Sequence, residues 1–444
     1  MRINDKRKYW IWLSHMAGQG SKTAVNLVRA YGDAKTVYER SAEDIKADGA
    51  VTDKRVLARL AYKDLEEPES IVRWCDENSV SILVPTDKDY PKALLSLQDA
   101  PMVLYVAGKL PDFNNTMCCA VVGTRDMSEY GKRVAYDIGS GLADGGACLV
   151  SGIALGIDGM AMAGAVEAGG VTVAVLGCGI DIVYPTQHEK LLRRVLEKGA
   201  VITEYAPGVS PNRYHFPVRN RIISGLSQAV CVVEGNMKSG SLITARHGIY
   251  QGRRLFAVPG RVGEDGAEGT NHLLKQGATP VTCALDILSE FEFIYPHTIM
   301  LDRAVPHISP DEAEDKMDVG SRRKKKKAEK KSPEKKAEKP EKTEKKKKGA
   351  SPFPKEERER KPVRIDLESL NEDDMKVLDA MIPDVPMLCE EIAAKGFELS
   401  AVMVSLTMLE VAGAVEAGAG GYYLKRAADF GGEPEYITED DAGL

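Results

Sequence analysis

The chain has 444 residues, 43% of them apolar and 28% charged, with a net charge of -6, and length alone suggests about three domains. That balance excludes a uniformly basic nucleic-acid coat, and no run approaches the roughly 18 apolar residues of a membrane span. Eight cysteines without a CxxC pair point to buried reduced thiols rather than a disulfide or zinc framework; MRINDKRKYW lacks the apolar segment of a secretory signal, so a cytoplasmic protein is expected.

Residues 1–75 read as a helical module. The stretch LSHMAGQGSKTAVNLVRAYGDAKTVYERSAEDI alternates apolar-periodic segments with a Gly18-Gln19-Gly20 turn and a second turn at Tyr31-Gly32-Asp33. It resembles a helix-hairpin-helix or SAM-like module, whose hairpin amides contact DNA backbone; a small helical packing domain is the alternative.

Residues 76–302 change pattern. MCCAVVG, ACLVSG, VTVAVLG, AVITE, AVCVVE and RLFAVP are apolar throughout, and amphipathic runs such as YGKRVAYDIGSGLAD and HEKLLRRVLEKG separate most of them. Strands apolar on both faces with helices between them predict an α/β, Rossmann-like, doubly wound parallel sheet. Residues 81–110 supply two more strand candidates.

Residues 303–362 are rich in Lys, Glu, Pro and Ser. The part from Ser321 to Gly349 holds sixteen Lys and Arg against five Glu, a net of +11. Such a segment cannot bury enough apolar surface to offset its ordering entropy, so a disordered basic linker is expected. Residues 363–428 return to globular composition: three helical patterns, then AVEAGAGGYYLKR as a glycine-turned hairpin, predict a winged helix. Residues 429–444 form an acidic tail.

In an open α/β sheet, ligands bind beyond the carboxyl ends of the strands. Glycine recurs there. Ser151-Gly152, with Gly156 behind it, and the segment Lys238–Thr244, built on Ser239-Gly240-Ser241, resemble phosphate cradles, in which backbone N–H groups and a helix N-terminus face an anion. Cations stand around them: Arg125, Arg213, Arg219, Arg221 and Lys238. Phe216 offers a face for base stacking, and Asn220 lies between two of the arginines. A cationic groove with an aromatic platform suits single-stranded nucleic acid read without sequence preference. The alternative for any one arginine is an internal ion pair with Glu204, Glu234 or Asp181. No metal-ligand or nucleophile motif is found, so no cofactor, metal or catalytic residue is expected. Asp158 and Asp181 read as loop ties, and His215 and His247 as surface or phosphate-facing groups.

In order and spacing, VVGTR, SGIALGID, VLGCGIDIVYP, TEYAPG, FPVRNRIISGLS, VVEGNMKSGSLITA, FAVPG and GTNHLLKQGA resemble the DNA-processing protein A (DprA/Smf) family. The resemblance implies a single-stranded DNA-binding protein, dimeric through its Rossmann domain, that binds DNA taken up in natural transformation and loads a RecA-type recombinase on it. It places DNA contacts on Arg125, Ser151, Gly152, Phe216, Arg219, Asn220, Arg221, Lys238, Ser239 and Gly240. Two positions depart from the family pattern: Ala161-Met162 stands where Ala-His is usual, and VVEG where VVEA is usual. Two other classes share parts of this pattern. One is a nucleotide phosphoribohydrolase, but KSGSLITARHG lacks that family's PGGxGTxxE glutamate. The other is a winged-helix regulator, which would read duplex DNA.

Overall fold

The computed structural model describes residues 5–304, 371–381, 387–411, 414–417 and 422–425. The chain divides into two compact units, one ending at Ser332 and one starting at Pro333.

The first unit opens with α1 (Arg7–Ala17), α2 (Lys22–Tyr31), α3 (Ala34–Glu39), α4 (Ala42–Ala47), α5 (Lys54–Ala61) and α6 (Glu66–Glu77). Short polar side chains start four of these helices: Ser21, Asp33, Ser41 and Asp53 accept the N–H groups of Thr23, Thr36, Asp44 and Arg55. Each satisfies a donor that the helix itself cannot. The apolar faces of these helices share one core with one side of the sheet that follows. The Gly18–Gly20 turn is part of that packing. Gly20 has φ +71, and a Cβ there would lie 2.7 Å from Val218 Cγ1. Gly20 thus packs on the helix at His215–Gly225 through Val218, while Gly18, Gln19 and Gly20 all stay partly exposed.

The sheet has nine strands: β1 (Ser81–Leu83), β2 (Leu104–Gly108), β3 (Cys118–Val122), β4 (Cys148–Ser151), β5 (Thr172–Val175), β6 (Ala200–Thr203), β7 (Ala229–Val232), β8 (Arg254–Ala257) and β9 (Thr279–Pro280). Their order is β1-β2-β6-β5-β4-β3-β7-β8-β9. The pairs from β6 through to β9 are parallel; β2 runs antiparallel to β6, and β1 to β2. The predicted doubly wound sheet is thus present, with an antiparallel margin built from residues 81–108. Chain order reverses direction between β3 and β7, the switch point of the fold.

Alternation along β3 shows why these runs are apolar throughout. Cys118, Ala120 and Val122 face the core shared with the N-terminal helices. Cys119 and Val121 face the other core, built with α8 (Glu129–Asp144) and α9 (Ile157–Glu167). Those two helices meet backbone to backbone: a Cβ on Gly139 would lie 2.0 Å from the Ala161 carbonyl oxygen. Met162 is fully buried in that layer. The remaining helices are α7 (Lys92–Leu95), α10 (Glu189–Lys198), α11 (His215–Gly225), α12 (Ser241–Tyr250), α13 (Glu268–Lys275) and α14 (Ala284–Leu288).

The second unit contains α15 (Glu372–Ala380), β10 (Met387–Leu388), α16 (Cys389–Ala393), α17 (Leu399–Val411), β11 (Val415–Ala417) and β12 (Tyr422–Lys425). The strands form an antiparallel sheet in the order β10-β12-β11. Val377, Leu378, Ile392, Val402, Leu406, Leu409 and Tyr423 form its core. All but the first two residues of the expected basic linker, and the whole acidic tail, lie outside the described residues.

Candidate nucleic-acid interface

The loops after β4 and β5 face the start of α11 across a narrow notch. Arg125, Gly152, Ala154, Leu155, Leu176, Gly177, Tyr184, Pro185, Phe216 and Arg219 line a cavity there of about 40 Å³. Four of the twelve predicted contact residues thus converge on one place: Arg125, Gly152, Phe216 and Arg219.

Phe216 is the centre of the notch. Its ring stacks on Tyr184, with centroids 5.5 Å apart and planes 27° apart. The guanidinium carbon of Arg125 lies 5.3 Å from the same ring centroid, and that of Arg219 lies 5.8 Å away. Both distances fall within cation–π range. Tyr184 keeps 38% of its surface exposed, so the Tyr184–Phe216 pair presents an aromatic edge to solvent beside two positive charges.

The floor of the notch is rigid. Arg219 is only 4% exposed. Its Nη1 donates to the Gly152 carbonyl at 3.0 Å and also to the Val175 carbonyl, and its Nε donates to Asn220 Oδ1 at 3.2 Å. Gly152 must be glycine at this approach: a Cβ would sit 2.6–2.9 Å from the guanidinium. Asp158 joins the two neighbouring turns, accepting from the Gly123 amide at 3.3 Å and the Gly152 amide at 3.1 Å. Burial pulls the Arg219 guanidinium down to about 10, partly offset by Asp158. It stays charged at neutral pH, with Asp158 as its charge partner.

The other predicted residues divide by environment. Ser151 is fully buried and donates to the Val121 carbonyl at 2.7 Å, so its hydroxyl supports the β3–β4 edge rather than facing a ligand. Thr244 is 1% exposed, inside α12, and is likewise removed from the surface. Asn220 donates to the Gly240 carbonyl at 3.3 Å and so ties α11 to the loop before α12. Lys238 and Gly240 are exposed, with Ser239 partly covered between them. A Cβ on Gly240 would meet nothing within 4 Å, so its own packing does not require glycine. Arg213 is exposed and lies against its neighbour Tyr214, 4.6 Å from the ring centroid. These four flank the notch in sequence but do not line it.

Arg221 is a correction. It is 1% exposed. Its Nη2 reaches both Glu204 carboxylate oxygens at 2.9 Å, and its Nε reaches the Asp99 carbonyl at 3.1 Å. Asp99 Oδ2 lies 3.3 Å from the same nitrogen. Burial works against the charge, but Glu204 and Asp99 outweigh it and hold the guanidinium protonated. The fork that would grip a phosphate is occupied by carboxylates, so Arg221 belongs to the scaffold. His215 and His247 are both partly exposed; desolvation lowers the pKa of each, His247 to about 4, and His215 stacks on Tyr205 at 4.1 Å. Asp181 ties a loop as expected, accepting the Gly208 amide at 2.9 Å.

Tyr184, Pro185 and Leu155 were missed. Tyr184-Pro185 ends GIDIVYP, one of the strand-end loops already singled out, and an aromatic there was the available signal.

Residues 81–292 match the family described as "DNA recombination-mediator protein A". The Smf protein of Escherichia coli (strain K12) is 43% identical over 227 residues, 51% of this chain and 60% of its own length. This chain therefore spans about three-fifths of that relative. The DNA processing protein DprA of Streptococcus pneumoniae is 41% identical over 215 residues, 48% of this chain and 74% of its own length. The X-ray structure of DNA processing protein A from Streptococcus pneumoniae aligns with a TM-score of 0.57 at 33% identity, covering 66% of this chain and 100% of that one.

Proposed function

The chain belongs to the DprA/Smf family of DNA recombination mediators, and from that premise we propose that it binds single-stranded DNA at the Arg125–Phe216–Arg219 notch, shields it and loads a RecA-type recombinase on it. The observation that carries this reading is the junction of two guanidinium groups on one aromatic ring, 5.3 and 5.8 Å from its centroid, at the carboxyl ends of β4 and β5. Phosphate chains are attracted by the charges, and a base stacks on an aromatic face whatever its identity. Duplex DNA hides its base faces, so the notch favours single strands.

The protein acts by binding and not by turnover. The notch offers cations and an aromatic pair, and Asp158, a buried carboxylate that interacts with Arg219, is committed to two backbone amides. Dimerisation through the sheet unit is part of the reading. Phe293 and Ile294, adjacent in sequence, are 92% and 65% exposed, apolar area that self-association would cover. The second unit, with its helix–strand–helix–helix–strand–strand order, is read as a winged helix, and the basic segment 321–349 as an auxiliary polyanion contact. The test is recombinase filament assembly on single-stranded DNA precoated with a single-strand-binding protein. The full chain should speed assembly, and the Arg125→Ala variant should not. Equal acceleration by both would remove the notch from the mechanism.

A further inference from the structure

The switch point between β3 and β7 is where a Rossmann-like sheet normally receives a nucleotide phosphate, at the N-terminus of the helix after the first strand. That helix is α8 here. Its N-terminal turn already holds an anion from the chain itself. Glu234, just beyond β7, accepts from the Ser128 amide at 3.0 and 3.2 Å through its two oxygens, and from the Ser128 hydroxyl at 3.0 Å. A Cβ on Gly131 would lie 1.8 Å from Glu234 Oε2, so the carboxylate rests directly on the first turn of α8. On its other side, a Cβ on Gly266 would lie 2.4 Å from Oε1. The Glu234 backbone is fixed as well: its carbonyl accepts from the Thr124 amide at 2.7 Å. The side chain is 93% covered in effect, since the residue is only 7% exposed. Beside it opens a cavity of about 470 Å³, rimmed by Glu264 and Asp265.

We propose that Glu234 is a specificity-determining residue: its carboxylate occupies the phosphate position of the switch point and bars mononucleotides from it. Room exists nearby, but the position where a phosphate would be stabilised is filled by a tethered negative charge. A phosphate brought there would displace a bonded carboxylate and meet like charge, which costs far more than helix-dipole attraction returns. Free nucleotides are thereby turned away from the crevice. This inference does not rest on the reading of the notch.

The experiment uses the full chain, wild type and Glu234→Ala, with ADP and inorganic phosphate as probes. Removing the carboxylate leaves the Ser128 amide and the α8 N-terminus without their anion. Phosphate at about 50 mM should then raise the melting temperature of Glu234→Ala by about 3 °C or more over chloride at equal ionic strength, and leave wild type unmoved. Calorimetry should show ADP affinity gained by about tenfold or more in the variant. Glu234→Gln, which fills the same space and still accepts from Ser128, should show neither gain. If Glu234→Ala folds only in phosphate, the proposal is supported. If it behaves alike in both anions, or neither anion restores a misfolded variant, or wild type already binds ADP as tightly, the proposal is overturned.

Discussion

Replacing Arg221 by Ala should damage the fold and spare the binding chemistry. The substitution leaves Glu204, itself only 4% exposed, without the fork that meets both its oxygens at 2.9 Å. Breaking one side of a buried ion pair costs about 3–5 kcal/mol, much of it the penalty for the charge left behind. For a cooperative unit of this size, each kcal/mol lowers the melting temperature by about 2 °C, so calorimetry should show a fall of about 6–10 °C. The double variant Arg221→Met, Glu204→Met removes both charges and should recover most of that loss, because the desolvation cost goes with the pair. Below its transition, Arg221→Ala should bind single-stranded DNA within about twofold of wild type, with an unchanged salt slope. A variant with normal melting but a reduced salt slope would refute the assignment and return Arg221 to the DNA-contacting set.

Phe216→Ala should cost about 1–3 kcal/mol of single-strand affinity across all base compositions, with little change in salt slope, measured by anisotropy titration. Gly152→Ala should push the Arg219 guanidinium out of its carbonyl cradle, since the new Cβ falls 2.6 Å from Nη2; binding should weaken more than melting temperature falls, and an unaffected affinity would show that Arg219 is not part of the notch. His215 and His247 have pKa values lowered by burial, the latter to about 4. They bind fewer protons folded than unfolded, so their contribution is complete above about pH 6.5 and is lost as pH falls towards 4. Melting temperature should drop through that window, and the His215→Gln, His247→Gln variant should flatten the drop. Deleting residues 321–349, a net +11, should lower affinity at low salt and matter little at high salt, as screening removes long-range attraction.

The sheet was legible because burial on both faces leaves no polar alternation: Cys118-Cys119-Ala120-Val121-Val122 could only be an interior strand. The notch was partly legible, since glycines after strands and cations at a helix start are local signals. The division of labour among the arginines was half visible. Positions 219 and 221 are two apart on α11, and residues at that spacing do not share a helix face. One of them therefore had to point away from the notch. Which one turned inward depends on Glu204 and Asp99, which only the folded topology brings beside Arg221. The aromatic at Tyr184 was visible, but its partnership with Phe216 joins a loop to the start of α11 that sequence separation gives no cause to connect. The Gly18–Gly20 turn fitted two readings in the sequence, a DNA hairpin or a packing element, and only the fold brings Gly20 against Val218 of its own chain.

If Arg125 and Phe216 form a single-strand-selective notch, it shows most directly in the affinity of wild type and Arg125→Ala for labelled single-stranded and duplex DNA of equal length, each titrated across salt. Wild type should prefer the single strand by about tenfold or more, a gap of about 1.4 kcal/mol. Arg125→Ala should bind it more weakly, with a log–log salt slope smaller by about 0.7, the value of one phosphate contact on a single strand. Equal affinity of wild type for both forms of DNA, or an unchanged slope in a folded Arg125→Ala protein, would contradict the account.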